Sequence, residues 1–275
     1  MTSAFLGTSA FAAAVLERLA ASDHRPALVV TRPDRPAGRG RRLTPPPVAD
    51  TARALGLELF QPESVNTAEA GERLAATGAD VLVLCAFGAL VKEPLLTDFE
   101  IFNVHPSLLP RWRGAAPVER AIMAGDEQTG VAIMRLTAGL DSGPVCLMEA
   151  EPIRPDDDYG TLAARLEDRG GALLLRALDE RPPFVEQTEE GVTYAEKITA
   201  ADRTLDPDAP AEANVRIVRA LHPHIGARLP LADGTFLGVR RARVGEDGSL
   251  ELVEVQPPGG RPMAYADYVR GHAAR

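Results

Sequence analysis

Lysine is almost absent from this chain: Lys92 and Lys197 are the only two in 275 residues, so arginine carries nearly all of the positive charge. Cysteine is as scarce. Cys85 and Cys146 each sit in an apolar run, are not spaced as a metal-ligand pair and are too few for a disulfide framework. Both read as small core residues, and a reducing cytosol fits them. Long hydrophobic runs are missing too. The longest, Val81 to Val91, is well short of the ~20 residues that cross a bilayer. Met1 to Ala20 has no basic n-region and is interrupted by Glu17 and Arg18, so no signal peptide is expected. Nor is there an excess of positive charge. Thirty basic against 39 acidic residues give a formal net of -9, which excludes indiscriminate binding to nucleic acid or membrane and leaves local basic patches to look for. What is present is ordinary globular material. With 45% apolar and 25% charged residues, the chain is neither disordered nor collagen-like, and its length suits one large domain and one small one. The expectation is a soluble cytoplasmic protein without a membrane partner.

Up to about residue 180, short β-rich runs alternate with helical patterns, as in a parallel sheet with crossover helices. The predicted strands are Ser3 to Gly7, Ala27 to Thr31, Glu58 to Gln61, Asp80 to Ala86, Ile101 to His105 and Val131 to Leu136. Predicted helices cover Phe11 to Ala20, Ala68 to Thr77, Pro117 to Ala124 and Gly160 to Leu178. The turn Gly7-Thr8-Ser9-Ala10-Phe11 lacks the three-glycine dinucleotide fingerprint, which gives a nicotinamide or flavin reading little support. From Glu149 to Asp208 there are 16 acidic and 7 basic residues, with Pro182-Pro183 and Asp206-Pro207 as breakers. That composition predicts a domain edge and a solvated linker. A helix from Glu212 to Leu221 and alternating runs at Phe236 to Val244 and Leu250 to Gln256 then predict a small β-domain. The division is 1–190, a linker over 191–209, and 210–275.

The chemistry concentrates in Phe102-Asn103-Val104-His105-Pro106. Positions i and i+2 of a strand share a face, so Asn103 and His105 project together. Pro106 cannot donate to a ladder and ends the strand. The polar pair therefore lies at a strand's carboxyl end, where open α/β sheets hold ligands. Downstream, Gly139-Leu140-Asp141-Ser142-Gly143 places one carboxylate in a tight loop after another strand, within reach of the same crevice. An amide donor, an imidazole and a carboxylate converging there suit acyl transfer to an amine. Taken alone, each of the three is more often structural: a satisfied strand-end Asn or His, and a turn Asp beside Gly.

The run Asn103-Val104-His105-Pro106-Ser107-Leu108-Leu109-Pro110, with Arg113-Gly114-Ala115-Ala116-Pro117 and the Asp141 loop, resembles the signature of formyltransferases that use 10-formyltetrahydrofolate. Thr31 to Leu43 looks like the loop particular to the methionyl-tRNA formyltransferase family, and further matches at Gly7-Thr8, Gly125-Asp126, Thr193 to Lys197 and Gln256 to Gly271 extend the resemblance over nearly the whole chain. The resemblance implies that Asn103, His105 and Asp141 are the catalytic residues. It implies folate contacts at Ser107, Leu108, Leu109 and Pro110, and an initiator methionyl-tRNA substrate. It also implies a Rossmann-like, doubly wound, mostly parallel sheet followed by a small, abbreviated β-barrel-like domain that contacts tRNA. A monomer that uses no metal is expected. Two departures stand out: His222-Pro223-His224-Ile225 where many members have Asn-Pro-Trp-Pro, and a short turn between Val244 and Leu250 where several more strands are usual.

The tRNA reading also has a physical side. From Arg32 to Arg42 there are five arginines and one aspartate, threaded with Pro33, Pro36, Gly38 and Gly40. Such a segment cannot be a helix and reads as an exposed, partly stiffened loop. Charge runs are usually solvated faces, but guanidinium matches phosphate bidentately, which makes Arg35, Arg39, Arg41 and Arg42 candidate tRNA contacts. Arg216 to Arg243, with six arginines against Asp233, could extend the track. The rivals are an amino-sugar nucleotide formyltransferase, which needs no such loop, and a non-catalytic RNA-binding protein on the same scaffold.

Overall fold

The computed structural model describes residues 1–37 and 42–272. The chain begins with β1 (Ser3–Gly7), α1 (Ala10–Ala20), β2 (Pro26–Val30), β3 (Arg35–Ala37), β4 (Arg42–Thr44), α2 (Pro47–Ala54), β5 (Leu59–Phe60) and α3 (Ala68–Ala76). It continues through β6 (Val81–Cys85), α4 (Leu95–Asp98), β7 (Ile101–His105), β8 (Arg113–Gly114), α5 (Pro117–Ala124), β9 (Gln128–Arg135), β10 (Val145–Pro152) and α6 (Tyr159–Glu180). The remainder is β11 (Tyr194–Ala195), α7 (Ala211–Leu221), β12 (Ala227–Pro230), β13 (Phe236–Val244), β14 (Leu250–Gln256), β15 (Met263–Ala264) and α8 (Tyr265–His272).

Seven strands form one sheet in the order β10-β9-β7-β6-β1-β2-β5. The five from β7 to β5 run parallel, and β9 runs antiparallel to β7. The chain moves outward from β1 to β2 and β5, then returns to lay β6 on the other side of β1. That reversal opens a crevice at the carboxyl ends of the strands. Every residue of β1, β6 and β7 is buried, as expected of strands covered on both faces. Leu6, Leu28, Leu82 and Leu84 join Leu74 of α3 and Leu95 of α4 in one cluster. Truncating one of these leucines to alanine costs about 2–5 kcal/mol, through lost transfer energy and the cavity left behind. The helices start where the sequence supplies caps: the Ser9 hydroxyl accepts the Ala12 N–H, and the Thr67 hydroxyl accepts the Ala70 N–H, both at 3.2 Å.

Contacts divide the described chain into two compact units that interleave along the sequence. The first comprises Met1–Ala115, Gly130–Glu151 and Ala164–Tyr194, and the second Ala116–Thr129, Pro152–Ala163 and Ala195–Arg275. In the second unit, α5 packs with α7, and Arg219 donates to the carbonyls of Asp157 and Arg154 at 2.5 and 2.9 Å. Its sheet is antiparallel, with strand order β12-β13-β14-β15. Leu205, Val218, Ala227 and Val239 form its core. Among the described residues β15 ends this order on one side, and on the other Arg203–Leu205 runs beside β12, with the Arg228 N–H donating to the Arg203 carbonyl and the Leu205 N–H to the Arg228 carbonyl, both at 2.8 Å.

Several segments differ from the sequence expectation, besides α2 and β10, which it does not contain. Residues 191–209, read as a solvated linker, contain buried Ala195 and Leu205. Charge counting from Glu149 to Asp208 misled because acidic groups along that stretch are paired: Asp202 with Arg120, and Glu151 with Arg165 and Arg169. Residues 35–37 and 42–44 pair as the antiparallel strands β3 and β4 rather than forming irregular loop. Cys146 is half-buried, whereas Cys85 is buried as expected and burial pushes its thiol far up, so it is inert.

Candidate active site

Asn103 and His105 end β7, flanked by parallel β6 and antiparallel β9: Asn103 pairs with Leu84 and Met134, and His105 with Ala132. Both are about 95% buried. Two neighbours on opposite sides fix the strand, and the pleat turns both polar side chains the same way. The loop after β9 brings Asp141 to them. Its carboxylate Oδ2 lies 3.7 Å from His105 Nδ1, and its Oδ1 accepts from Asn103 Nδ2 at 3.4 Å. The Gly114 N–H donates to the same Oδ2 at 2.8 Å. Asp141 takes a left-handed backbone (φ 44°) to do this, a conformation that costs about 1–3 kcal/mol and persists only where the surroundings hold it. Gly143 is required close by, since a Cβ there would stand 2.0 Å from the Arg135 carbonyl.

His105 Nε2 is 2.9 Å from the carbonyl of Trp112. A carbonyl only accepts, so Nε2 carries the proton, and Nδ1 is the nitrogen that faces the carboxylate. An imidazolium at His105 would donate on one side and face a negative charge on the other. The Trp112 carbonyl is held in turn, because the Trp112 N–H donates to Thr193 Oγ1 at 2.9 Å and the Arg113 N–H to the Thr193 carbonyl at 3.0 Å. Asn103 gives one amide N–H to Asp141 and has a second N–H beyond that bond. The arrangement can therefore stabilise an oxyanion with an amide and supply a positive charge or a proton beside it. Among the described residues, no group of three or more His, Cys, Asp or Glu is placed to hold a metal ion. Among them, too, no helix is long and apolar enough to cross a membrane.

Residues 1–178 match the formyl transferase family. A methionyl-tRNA formyltransferase from Halorhodospira halophila is 43% identical over 97% of this chain and 95% of its own length. The chain belongs to the methionyl-tRNA formyltransferase family. Two solved structures share the fold at low identity. The methionyl-tRNA formyltransferase from Clostridium thermocellum superposes with a TM-score of 0.66 at 13% identity, covering 96% of this chain and 99% of that one. HypX from Aquifex aeolicus, solved with tetrahydrofolic acid, gives 0.68 at 15% identity, and this chain spans 97% of itself but only 46% of HypX.

The other residues singled out for this formyltransferase fall unevenly. Ser107 is fully buried and its hydroxyl donates to the Arg111 carbonyl at 2.7 Å, while Leu109 is buried against Ala132 and Met134. Leu108 and Pro110 are partly exposed. Leu109 and Pro110 line a cavity of about 310 Å³ with Val145, Cys146 and Gln187. Arg35 pairs with Glu63 at 2.8 Å, and Arg42 is exposed on β4. Arg39 and Arg41 lie outside the described residues. In the tail, Arg219 and Arg228 donate to backbone carbonyls, Arg240 and Arg243 face Glu254 and Glu251, and Arg228 also covers the Phe236 ring. Most of that patch is thus engaged within the protein, and Arg241 and Arg243 are its exposed members.

Sequence reasoning overlooked Gln187, which donates to the carbonyls of Asp141 and Gly143 at 2.8 and 2.7 Å. Nothing in its own neighbourhood signals a site. Thr193 and Arg113 lie inside the family-like motifs but had no role assigned, because their partners are 74 residues or more away along the chain.

Proposed function

We propose that this protein transfers the formyl group of 10-formyltetrahydrofolate to the α-amine of methionine on initiator tRNA. The neutral amine attacks the formyl carbon, and the second Asn103 amide N–H receives the developing oxyanion. Collapse expels the folate N10, which takes up a proton, and the amine gives one up, leaving formylmethionyl-tRNA and tetrahydrofolate. His105 acts as an imidazolium charged against Asp141, or passes a proton toward N10 after leaving the Trp112 carbonyl. The charge role fits the observed contacts with less movement.

The observation that carries this reading is the convergence of Asn103, His105 and Asp141 at the carboxyl end of β7, in a chain that matches its relatives nearly end to end. Folate is proposed to lie along Ser107, Leu108, Leu109 and Pro110, with Leu108 and Pro110 offering the side chains that remain partly exposed. Arg35, Arg39, Arg41 and Arg42 are proposed to contact tRNA phosphates. The proposal places catalysis in residues 1–190, joined through 191–209 to a tRNA-contacting region over 210–275, in a cytoplasmic monomer that needs no metal.

The deciding assay is transfer of labelled formyl from 10-formyltetrahydrofolate to charged initiator tRNA, charged elongator tRNA and an amino-sugar nucleotide in parallel. Preference for the initiator supports the proposal. Preference for the sugar nucleotide overturns it.

A further inference from the structure

We propose that Arg113 and Gln187 form a brace that positions the Asp141 carboxylate, a role that rests on the reading of Asp141 given above. Gln187 Nε2 donates to the carbonyls of Asp141 and Gly143, at 2.8 and 2.7 Å, and so closes the loop that carries the carboxylate. Its Oε1 accepts from Arg113 Nε at 3.0 Å. Only a primary amide meets these three demands together, since it must accept from a cation at one end and donate to two carbonyls at the other. The guanidinium also decides which end of the amide faces the loop. Asp141 needs such holding, because its φ of 44° is one that side-chain-bearing residues leave unless constrained.

The neighbouring residue grips the same aspartate a second time. Gly114, next to Arg113 on β8, donates its N–H to the Asp141 carboxylate. Consecutive residues thus control both the backbone and the side chain of Asp141. Arg113 is poorly explained as a device for stability. It is 4% exposed, its Nη2 has no hydrogen-bond partner among the described residues, and the carboxylate it faces, Glu189, is 3.8 Å away and largely exposed. A buried cation with an unmade donor destabilises the fold, so its contribution is sought in what it orients.

The test uses the full-length protein with four variants: Gln187→Met, Gln187→Glu, Asp141→Asn, and Gln187→Met combined with Asp141→Asn. Gln187→Met keeps the volume and removes the hydrogen bonds, and kcat is expected to fall about tenfold with the folate KM little changed. Gln187→Glu is the closer isostere but cannot donate, and it turns negative charge toward two carbonyls, so its kcat is expected to fall further than that of the methionine variant. A residue that merely fills space would give the opposite order. If Gln187 acts through Asp141, its loss in the Asp141→Asn background lowers kcat by much less than tenfold. The pH–rate profile of Gln187→Met should move in the same direction as that of Asp141→Asn. Circular dichroism and melting curves confirm that each variant is folded, and Gln187→Met stands in if Gln187→Glu is not. Full activity in Gln187→Met overturns the brace, as does full additivity in the double variant. Full activity in Asp141→Asn overturns instead the reading on which the brace rests.

Discussion

The Asp141 carboxylate faces both polar residues of β7 at once, with Oδ2 3.7 Å from His105 Nδ1 and Oδ1 accepting from Asn103 Nδ2 at 3.4 Å. In the proposed mechanism the two strand residues have separable roles. Asn103→Ala removes the oxyanion donor and should lower kcat by the ~3–4 kcal/mol that such donors contribute. His105→Ala should also lower kcat while leaving the folate KM close to wild type, because both effects fall on the transition state. Steady-state kinetics on variants shown folded by circular dichroism check this. A full-rate Asn103→Ala enzyme removes that residue from the mechanism.

Replacing Asp141 with Asn keeps its shape but deletes the charge opposite His105 and leaves one oxygen to accept where two now accept, from Asn103 Nδ2 and from the Gly114 N–H. In the proposed mechanism the carboxylate 3.7 Å from His105 Nδ1 supports charge that develops on the ring, so its loss should lower kcat and leave the folate KM close to wild type. Steady-state kinetics on the folded variant check this, and a full-rate Asp141→Asn enzyme would remove the carboxylate from the mechanism.

The strand that carries the site was legible because its boundaries are chemical. Pro106 ends β7 and Pro117 begins α5, and both elements lie where the sequence puts them. The approach of Asp141 was legible only as a possibility, since a loop's destination depends on what holds it. Those holders are Gly114, Gln187 and, through it, Arg113, all distant in sequence from Asp141. Pattern reading also passed over β10, where residues alternate between half-buried and exposed and Glu149 and Glu151 look like surface. Glu151 is in fact buried. Burial would raise its carboxyl, yet hydrogen bonds from Arg165 and Arg169 hold it below the usual range. Similarly, α2 hides behind Pro45-Pro46-Pro47, where Pro47 takes the helix's first position rather than ending a structure.

Arg42 is exposed on β4, whereas Arg35 is already paired with Glu63. Replacing Arg39, Arg41 and Arg42 together with alanine should raise the KM for charged tRNA and leave folate binding nearly unchanged. Arg35→Ala should have the smaller effect, because part of its charge is already spent on Glu63. The plot of log affinity for tRNA against log salt should flatten in the triple variant by about 0.7–0.9 for each phosphate that is no longer neutralised. Equal slopes for variant and wild type refute the phosphate role.

Asp202 gives a test of stability rather than catalysis. Its carboxylate accepts from Arg120 Nη1 at 2.7 Å and from the Thr199 hydroxyl and N–H at 2.7 and 2.8 Å. The Arg120 hydrogen bond first, and Thr199 next, hold its carboxyl well below the ordinary range despite burial. A carboxyl depressed in the folded state stabilises the fold above its unfolded value and loses that contribution as pH falls through the folded one. Asp202→Asn should therefore destabilise the protein at pH 7 by about 2 kcal/mol. The difference should shrink as pH drops below about 4, where the unfolded carboxyl protonates. Urea melts at pH 7 and pH 3 measure it, and a difference that does not shrink on acidification rules out this origin.

The last prediction concerns the tail. A cut near residue 200 leaves Asn103, His105 and Asp141 on the chain, and sequence alone would have that fragment fold. The second unit argues otherwise, because α5 and the start of α6 find their partners in the removed part. The Arg216 guanidinium sits over Gly125 at the end of α5, where the φ of 76° caps the helix and a Cβ would stand 2.5 Å from the guanidinium carbon. His224 meets Glu119 of α5 at 2.9 Å, and Arg219 binds the carbonyls of Arg154 and Asp157 just before α6. Removing residues 201–275 deletes all of these together with the packing of α7 on α5. The shortened protein should melt at least about 5 °C lower than the whole chain, given that each kcal/mol lost is worth about 2–4 °C in a domain of this size. A loss of tRNA formylation by the fragment therefore cannot be assigned to missing phosphate contacts. Arg241→Ala in the full chain isolates the charge, since Arg240 and Arg243 are paired with Glu254 and Glu251. If the fragment melts with the whole chain, α5 does not depend on the tail; if Arg241→Ala also leaves the tRNA KM unchanged, tRNA is held without the tail's charge.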